Sequence, residues 1–143
     1  MKPNNTIVLK CTEDSFLRTW MEFLAPFHKL TSRERDVASR LLKQYFRLKA
    51  SIEDPEVLKD VMWSHTSRKD MMNALGMSPA HFQMTLTKLK KAGVIMNNDI
   101  NPKFIPHITE DPRHMLCIVF DWSSSVNSID TVEDKDRSAT SET

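Results

Sequence analysis

The stretch SRKDMMNALGMSPAHFQMTLTKLKKAGVIM, residues 67–96, decides how the chain is read. Gly76 sits between two amphipathic segments, and glycine adopts the left-handed backbone a tight turn needs without steric cost. Before it, Ser67 offers a helix cap to Arg68–Leu75, with Met71, Met72 and Leu75 facing inward. After it, Ser78-Pro79 is a cap followed by proline at the first helical position, where the missing N–H is not needed. Phe82, Leu86, Leu89 and Gly93 then recur at steps of four, three and four, so they share one helical face. Met77 falls between the helices as an apolar plug, and Gly93 suits the left-handed residue that closes a helix at about Ala92.

Outward from this core, Val94–Met96 reads as a short strand, Asn97–Pro102 as a turn-rich loop and Lys103–Ile108 as the returning strand. Upstream, Thr31-Ser-Arg-Glu34 has capping-box spacing and opens a helix to about Ala50, with Val37, Ala38, Leu41, Leu42, Tyr45 and Leu48 as its buried stripe. Asp54-Pro55 starts a shorter amphipathic segment through Val57, Leu58, Val61 and Met62, and Ser64–Thr66 reads as a connector. Phe16, Leu17, Trp20, Met21 and Leu24 define an earlier helix over 14–24, which Ala25-Pro26 ends. Thr6–Lys10 and Met115–Phe120 read as flanking strands, the second buried. Trp20 and Trp63 are expected in the core, and Trp122 at the end of the last strand.

Helix, turn, helix, hairpin is the order of a winged helix, and residues 67–96 resemble that DNA-binding superfamily: polar cap, alanine before the turn, glycine, apolar residue, serine, then a helix ending Leu-Lys-Lys-x-Gly-aliphatic. Leu30-Thr-Ser-Arg-Glu-Arg-Asp-Val37 resembles the helix entry of bacterial regulators of this type, though the insertion at 51–66 departs from their compact pattern. The return through Ile100-Asn-Pro-Lys-Phe104 is similar to the winged-helix replication initiators of small plasmids, which implies origin binding. The expected fold is therefore mainly α with a small β component, a winged helix-turn-helix with flanking strands. One domain spans 1–120, and an acidic, disordered tail spans 121–143.

The resemblance implies that the helix from Pro79 enters the major groove, with its N-terminal residues near base edges. Its outward face carries Ala80, His81, Gln83, Met84, Thr87, Lys88 and Lys91, next to Ser78. Gln83 can pair with an adenine edge and Lys88 with guanine or phosphate, while Ala80 and Met84 offer only apolar contact. With no arginine on this face, affinity is expected mostly from phosphate contacts by Arg68, Lys69, Lys90, Lys91 and Lys103, with Asn97 and Asn98 reaching the minor groove or backbone. Blander readings stand beside these: a lysine-rich helix end complements the helix dipole, His81 is merely exposed, and Met84 suits a protein interface.

The chain has 143 residues and net charge +1. Residues 1–120 hold 18 basic against 13 acidic side chains and residues 121–143 two against six, so a mildly basic body carries an acidic end, a balance permissive for nucleic acid. Two glycines cannot build a Walker loop, a dinucleotide fingerprint or a nucleophile elbow. The five histidines lack zinc-ligand spacing, so neither enzyme activity nor a cofactor or metal is expected. Cys11 and Cys117 read as buried cytosolic thiols or, alternatively, as a disulfide between terminal strands. The expected partners are double-stranded DNA and a second copy of the chain, through the 31–50 helix or the terminal strands. The competing reading is a protein-interaction module within a larger assembly, such as a virion or polymerase complex, docking a partner on the Met84 face. No apolar run spans a membrane or forms a leader's core, so the expected location is the cytoplasm of a bacterial or phage-infected cell.

Overall fold

A computed structural model describes residues 7–108, 113 and 120–123. The chain divides into two compact units, residues 1–106 and 107–143. The described residues of the first form six α-helices and one two-stranded antiparallel sheet: α1 (Phe16–Phe23), α2 (Ala25–His28), α3 (Ser32–Lys49), α4 (Pro55–Met62), α5 (His65–Leu75), α6 (Pro79–Lys91), β1 (Ile95–Met96) and β2 (Asp99–Ile100). A 3-10 turn over Pro102–Phe104 follows. Among the described residues no helix is long and apolar enough to cross a membrane.

The longest helix, α3, is the hub. Its capping box is complete: the Glu34 N–H donates to Thr31 Oγ1 and the Thr31 N–H donates to Glu34 Oε1. Val37, Ala38, Leu41 and Leu42 are buried, and α1, α4, α5 and α6 all pack against this helix. The apolar stripe of α3 is thus buried within the chain. Tyr45 and Leu48 complete the stripe at the edge of the core. Gln44, also buried, donates from Nε2 to Ser67 Oγ at 2.8 Å, a polar tie between α3 and α5.

That tie moves the start of α5. Ser64, not Ser67, is the cap, accepting from the Ser67 N–H, and the expected connector at Ser64–Thr66 forms the cap and first turn of the helix. The hydroxyl of Ser67 instead satisfies Gln44 in the interior, where an unpaired amide would be costly. Asp54 caps α4 as expected, but Val57 points to solvent rather than to the core. At the other end of the unit, α1 stops at Phe23, and Pro26 lies in the first turn of α2, so the proline both separates one helix from its neighbour and begins the next. Buried His28 holds this corner: its Nδ1 accepts from the Leu30 N–H, which leaves Nε2 to donate to the Met21 carbonyl at 2.7 Å.

The guanidinium of Arg18 ties α1 to the start of α3, with Nε at 2.7 Å from Asp36, NH1 at 2.5 Å from Glu22 and NH2 at 3.1 Å from Ser32 Oγ. The Arg18 hydrogen bond, aided by the charge of Arg35, holds the Glu22 carboxyl below its ordinary 4.5 against partial desolvation. The ionised form therefore adds stability that is fully present above about pH 4.5 and is lost as pH falls through the lower folded value. Melting curves of the E22Q variant are expected to separate from the parent's above about pH 4.5 and to converge on them as pH falls through the lower folded value. Parallel curves across that range would contradict this coupling.

Gly76 has φ 64°, closing α5 in the left-handed region, and Gly93 has φ 84° after α6. A Cβ at Gly76 would meet nothing within 4 Å. The G76A variant is therefore expected to cost only backbone strain, about 1–2 kcal/mol by denaturant titration. A larger loss would indicate a clash that the turn does not contain.

The hairpin is shorter than the sequence reading. Asn97 and Asn98 both have positive φ, 56° and 61°. This is the mirror-image turn that reverses a strand within two residues. Ile95 pairs with Ile100 and Met96 with Asp99, so the return strand is Asp99–Ile100. Lys103–Ile108 is not a strand: Pro102 has no N–H for a ladder and opens the 3-10 turn instead. Buried Asn101 fixes the hairpin's exit, donating from Nδ2 to the Gly93 carbonyl at 2.8 Å and accepting the Lys103 N–H at Oδ1. N101A leaves these groups unpaired and is expected to lower stability by about 1–3 kcal/mol in chemical denaturation. Trp20 donates from its indole to the Phe104 carbonyl at 2.8 Å, which seats the segment after the hairpin on α1.

The expected N-terminal strand does not form over residues 7–10. Ile7, Val8 and Leu9 are exposed, and among the described residues no strand lies beside them; β-branched side chains alone do not make a strand. Thr6 lies outside the described residues. Cys11 is a free, exposed thiol rather than a buried one, and Cys117 lies outside the described residues. Of the expected buried strand at Met115–Phe120 only Phe120 is described, and it is 85% exposed. Trp122 is likewise exposed rather than packed at a strand end. Most of the expected disordered tail, 124–143, lies outside the described residues.

Candidate nucleic-acid interface

Helix α6 is a two-faced element. Ser78 accepts from the His81 N–H at 3.2 Å and Pro79 follows. The first turn is thus fixed by local chemistry, a side-chain cap and a proline in the N1 position. Phe82, Thr85, Leu86 and Leu89 are buried, and this face locks the helix onto α3 and the hairpin. Buried Thr85 satisfies its hydroxyl by donating to the His81 carbonyl at 2.9 Å. The opposite face is solvent-exposed at Pro79, Ala80, His81, Gln83, Met84, Thr87, Lys88 and Lys91, the outward set expected from the sequence. Lys90 is exposed beside them at the helix end.

Several of these side chains already have partners. Lys88 Nζ lies 3.6 Å from Glu34 Oε2, so one capping carboxylate both closes α3 and balances a lysine of α6. Lys88 thus leans toward the α3 flank, away from the middle of the exposed face. The Ser78 hydroxyl is engaged as the cap, and Thr87 donates to the Gln83 carbonyl at 3.1 Å. Lys69, Lys90, Lys91 and Lys103 are exposed. Met84 is 56% exposed at the centre of the face, a large apolar surface left in solvent.

The structure brings the start of α5 to α6. Arg68 NH1 donates to Gln83 Oε1 at 3.3 Å, while its Nε donates to the Trp63 carbonyl at 3.2 Å and its guanidinium lies over the Trp63 ring, 5.8 Å from the centroid. The Trp63 indole in turn donates to Asp99 Oδ1 at 3.1 Å. Contacts therefore run from the exposed face of α6, through Arg68 and Trp63, to the hairpin. A second tie comes from Lys59, which donates to the Asn97 carbonyl at 3.3 Å and braces the hairpin tip against α4. Asn97, Asn98 and Lys103 are not tied to the outward side chains of α6; they reach the interface as parts of the hairpin and the turn after it.

Sequence reasoning missed Lys59, Trp63 and Asp99 as supports of this surface. Their partners lie 36 and 38 positions away, so no local spacing could have paired them.

No protein-family model matches the chain, and no curated protein and no solved structure matches it either.

Proposed function

We propose that this chain is a double-stranded DNA-binding protein of the winged-helix type, acting in the cytoplasm as a transcriptional regulator or replication-linked factor, with no catalytic step. The observation that carries the proposal is the exposed face of α6, with Arg68-Lys69 of α5 and the β1–β2 hairpin beside it and Lys90 and Lys91 at its end. A helix held by one apolar face and offering the other beside a β finger suits the major groove, which admits one α-helix. In the winged-helix reading α5 and α6 are the helix-turn-helix and β1–β2 the wing. The polar content of the face supports phosphate-driven affinity with modest base discrimination, and a second copy of the chain on an adjacent half-site would supply the rest.

Gel shifts of a duplex across a salt series test the proposal. About five phosphate contacts, from Arg68, Lys69, Lys90, Lys91 and Lys103, predict log affinity falling with log salt at a slope of roughly −4.5. No binding to any duplex near 50 mM salt would end the proposal.

Met84 favours a second reading. An exposed methionine in the middle of a presented face suits an adaptable protein contact. Under that reading M84A abolishes capture of a partner protein, whereas under the first it removes one apolar contact and weakens duplex binding only slightly.

A further inference from the structure

We infer that Arg68 is a specificity-determining positioning residue: it holds the amide of Gln83 so that Gln83 reads an adenine in the major groove and refuses a guanine. The inference rests on the duplex-binding reading of this same face and goes beyond it by naming the base and the residue that enforces the choice.

Arginine has donors and no acceptor. The Gln83 atom facing Arg68 NH1 at 3.3 Å must therefore be the carbonyl oxygen. That fixes the amide's orientation. The Nε2 hydrogens remain free, and one lone pair of Oε1 remains open. Adenine presents an acceptor at N7 and a donor at its N6 amino group, which complements this pattern. Guanine presents two acceptors, N7 and O6, and its O6 would face Oε1, oxygen against oxygen. An untethered glutamine escapes this clash by turning its amide over and donating to guanine. Here the turn would break the Arg68 bond and set the NH2 group against a cation.

Arg68 is well placed to resist that turn, because it is itself held at two further points. Its Nε is hydrogen-bonded to the Trp63 carbonyl at 3.2 Å and its guanidinium carbon lies over the Trp63 ring. Trp63 is anchored by its indole to Asp99 in the hairpin. An arginine used only for phosphate needs no such support. This two-point placement against Trp63 is what a side chain needs in order to orient another.

The test is selection of binding sites from a random-sequence duplex library, read for the parent, Q83A and R68M. The parent is expected to enrich a site with one position favouring adenine over guanine by about tenfold, the worth of one good bidentate pair. Q83A is expected to erase the preference at that position and leave the others. R68M, which keeps an unbranched side chain against Trp63, is expected to reduce the preference there to about twofold. If R68M weakens all sequences equally and keeps the adenine preference, Arg68 is a phosphate contact and the inference falls. If Q83A leaves the profile unchanged, it falls as well. Should either variant fold poorly, the parent with 7-deazaadenine at the selected position settles the matter. Loss of the N7 acceptor is expected to weaken binding about tenfold, and unchanged binding overturns the inference. Enrichment of no sequence despite tight, salt-dependent binding also overturns it while sparing the duplex-binding reading; absence of any binding ends both.

Discussion

The triple reversal K69E/K90E/K91E is expected to abolish duplex binding at moderate salt while leaving the fold intact. All three lysines are exposed, so exchanging them disturbs no buried contact. Each phosphate contact removed should bring the salt slope about one unit closer to zero, and each glutamate adds repulsion from the phosphate backbone. At 100 mM salt the combined loss is expected to be at least about a hundredfold. Lys88 is deliberately excluded: a glutamate there would stand against Glu34 and disturb the start of α3, confounding binding with stability. Fluorescence anisotropy of a labelled duplex, with circular dichroism as the folding control, reads the result. Undiminished binding by the folded triple variant would place the DNA contact elsewhere, and retained capture of a protein partner would favour the second reading.

The second large effect concerns stability. F82A is expected to destabilise the fold by about 3–5 kcal/mol, the cost of a large-to-small change at a site that cannot collapse. Phe82 is 2% exposed and belongs to the cluster that joins α3, α5, α6 and the hairpin. For a structured unit of this size the melting temperature should fall by roughly 10–25 °C. Because Phe82 holds the buried face of the helix whose other face is offered to DNA, its loss is expected to weaken binding through the folded fraction alone. At temperatures where the variant is still folded, binding should recover. A drop below about 1 kcal/mol would mean that α6 is held from elsewhere.

The parts of this fold legible in the sequence are those set by local chemistry. The caps at Thr31, Asp54 and Ser78, the left-handed turns at Gly76 and Gly93 and the buried stripes of α3 and α6 each depend on residues within a few positions of one another. What misleads are choices made at a distance. Ser64 and Ser67 are equally good caps by type, and buried Gln44, from another helix, decides between them. Ile7–Leu9 has strand-like side chains but no strand beside it among the described residues. By residue type, Asn97-Asn98 and Asn101-Pro102 look like one long loop. In the structure the first pair makes the reversal, and Asn101 closes the hairpin against Gly93.

The same division applies to the candidate site. The outward set on α6 follows from helical period, and the structure leaves all of it exposed. The partners of Lys88, Gln83 and Asn97 come from α3, α5 and α4, and they are what turn a row of polar residues into an arrangement with orientation.

Amide chemical-shift mapping during titration of a duplex addresses the central claim most directly. The account predicts that the amides of Ala80–Lys91, Arg68, Lys69, Asn97 and Asn98 move together and saturate at one concentration, while those of the solvent side of α3, such as Lys43 and Arg47, stay still. Saturable shifts confined to the α3 side, or no shifts at low salt, would contradict it.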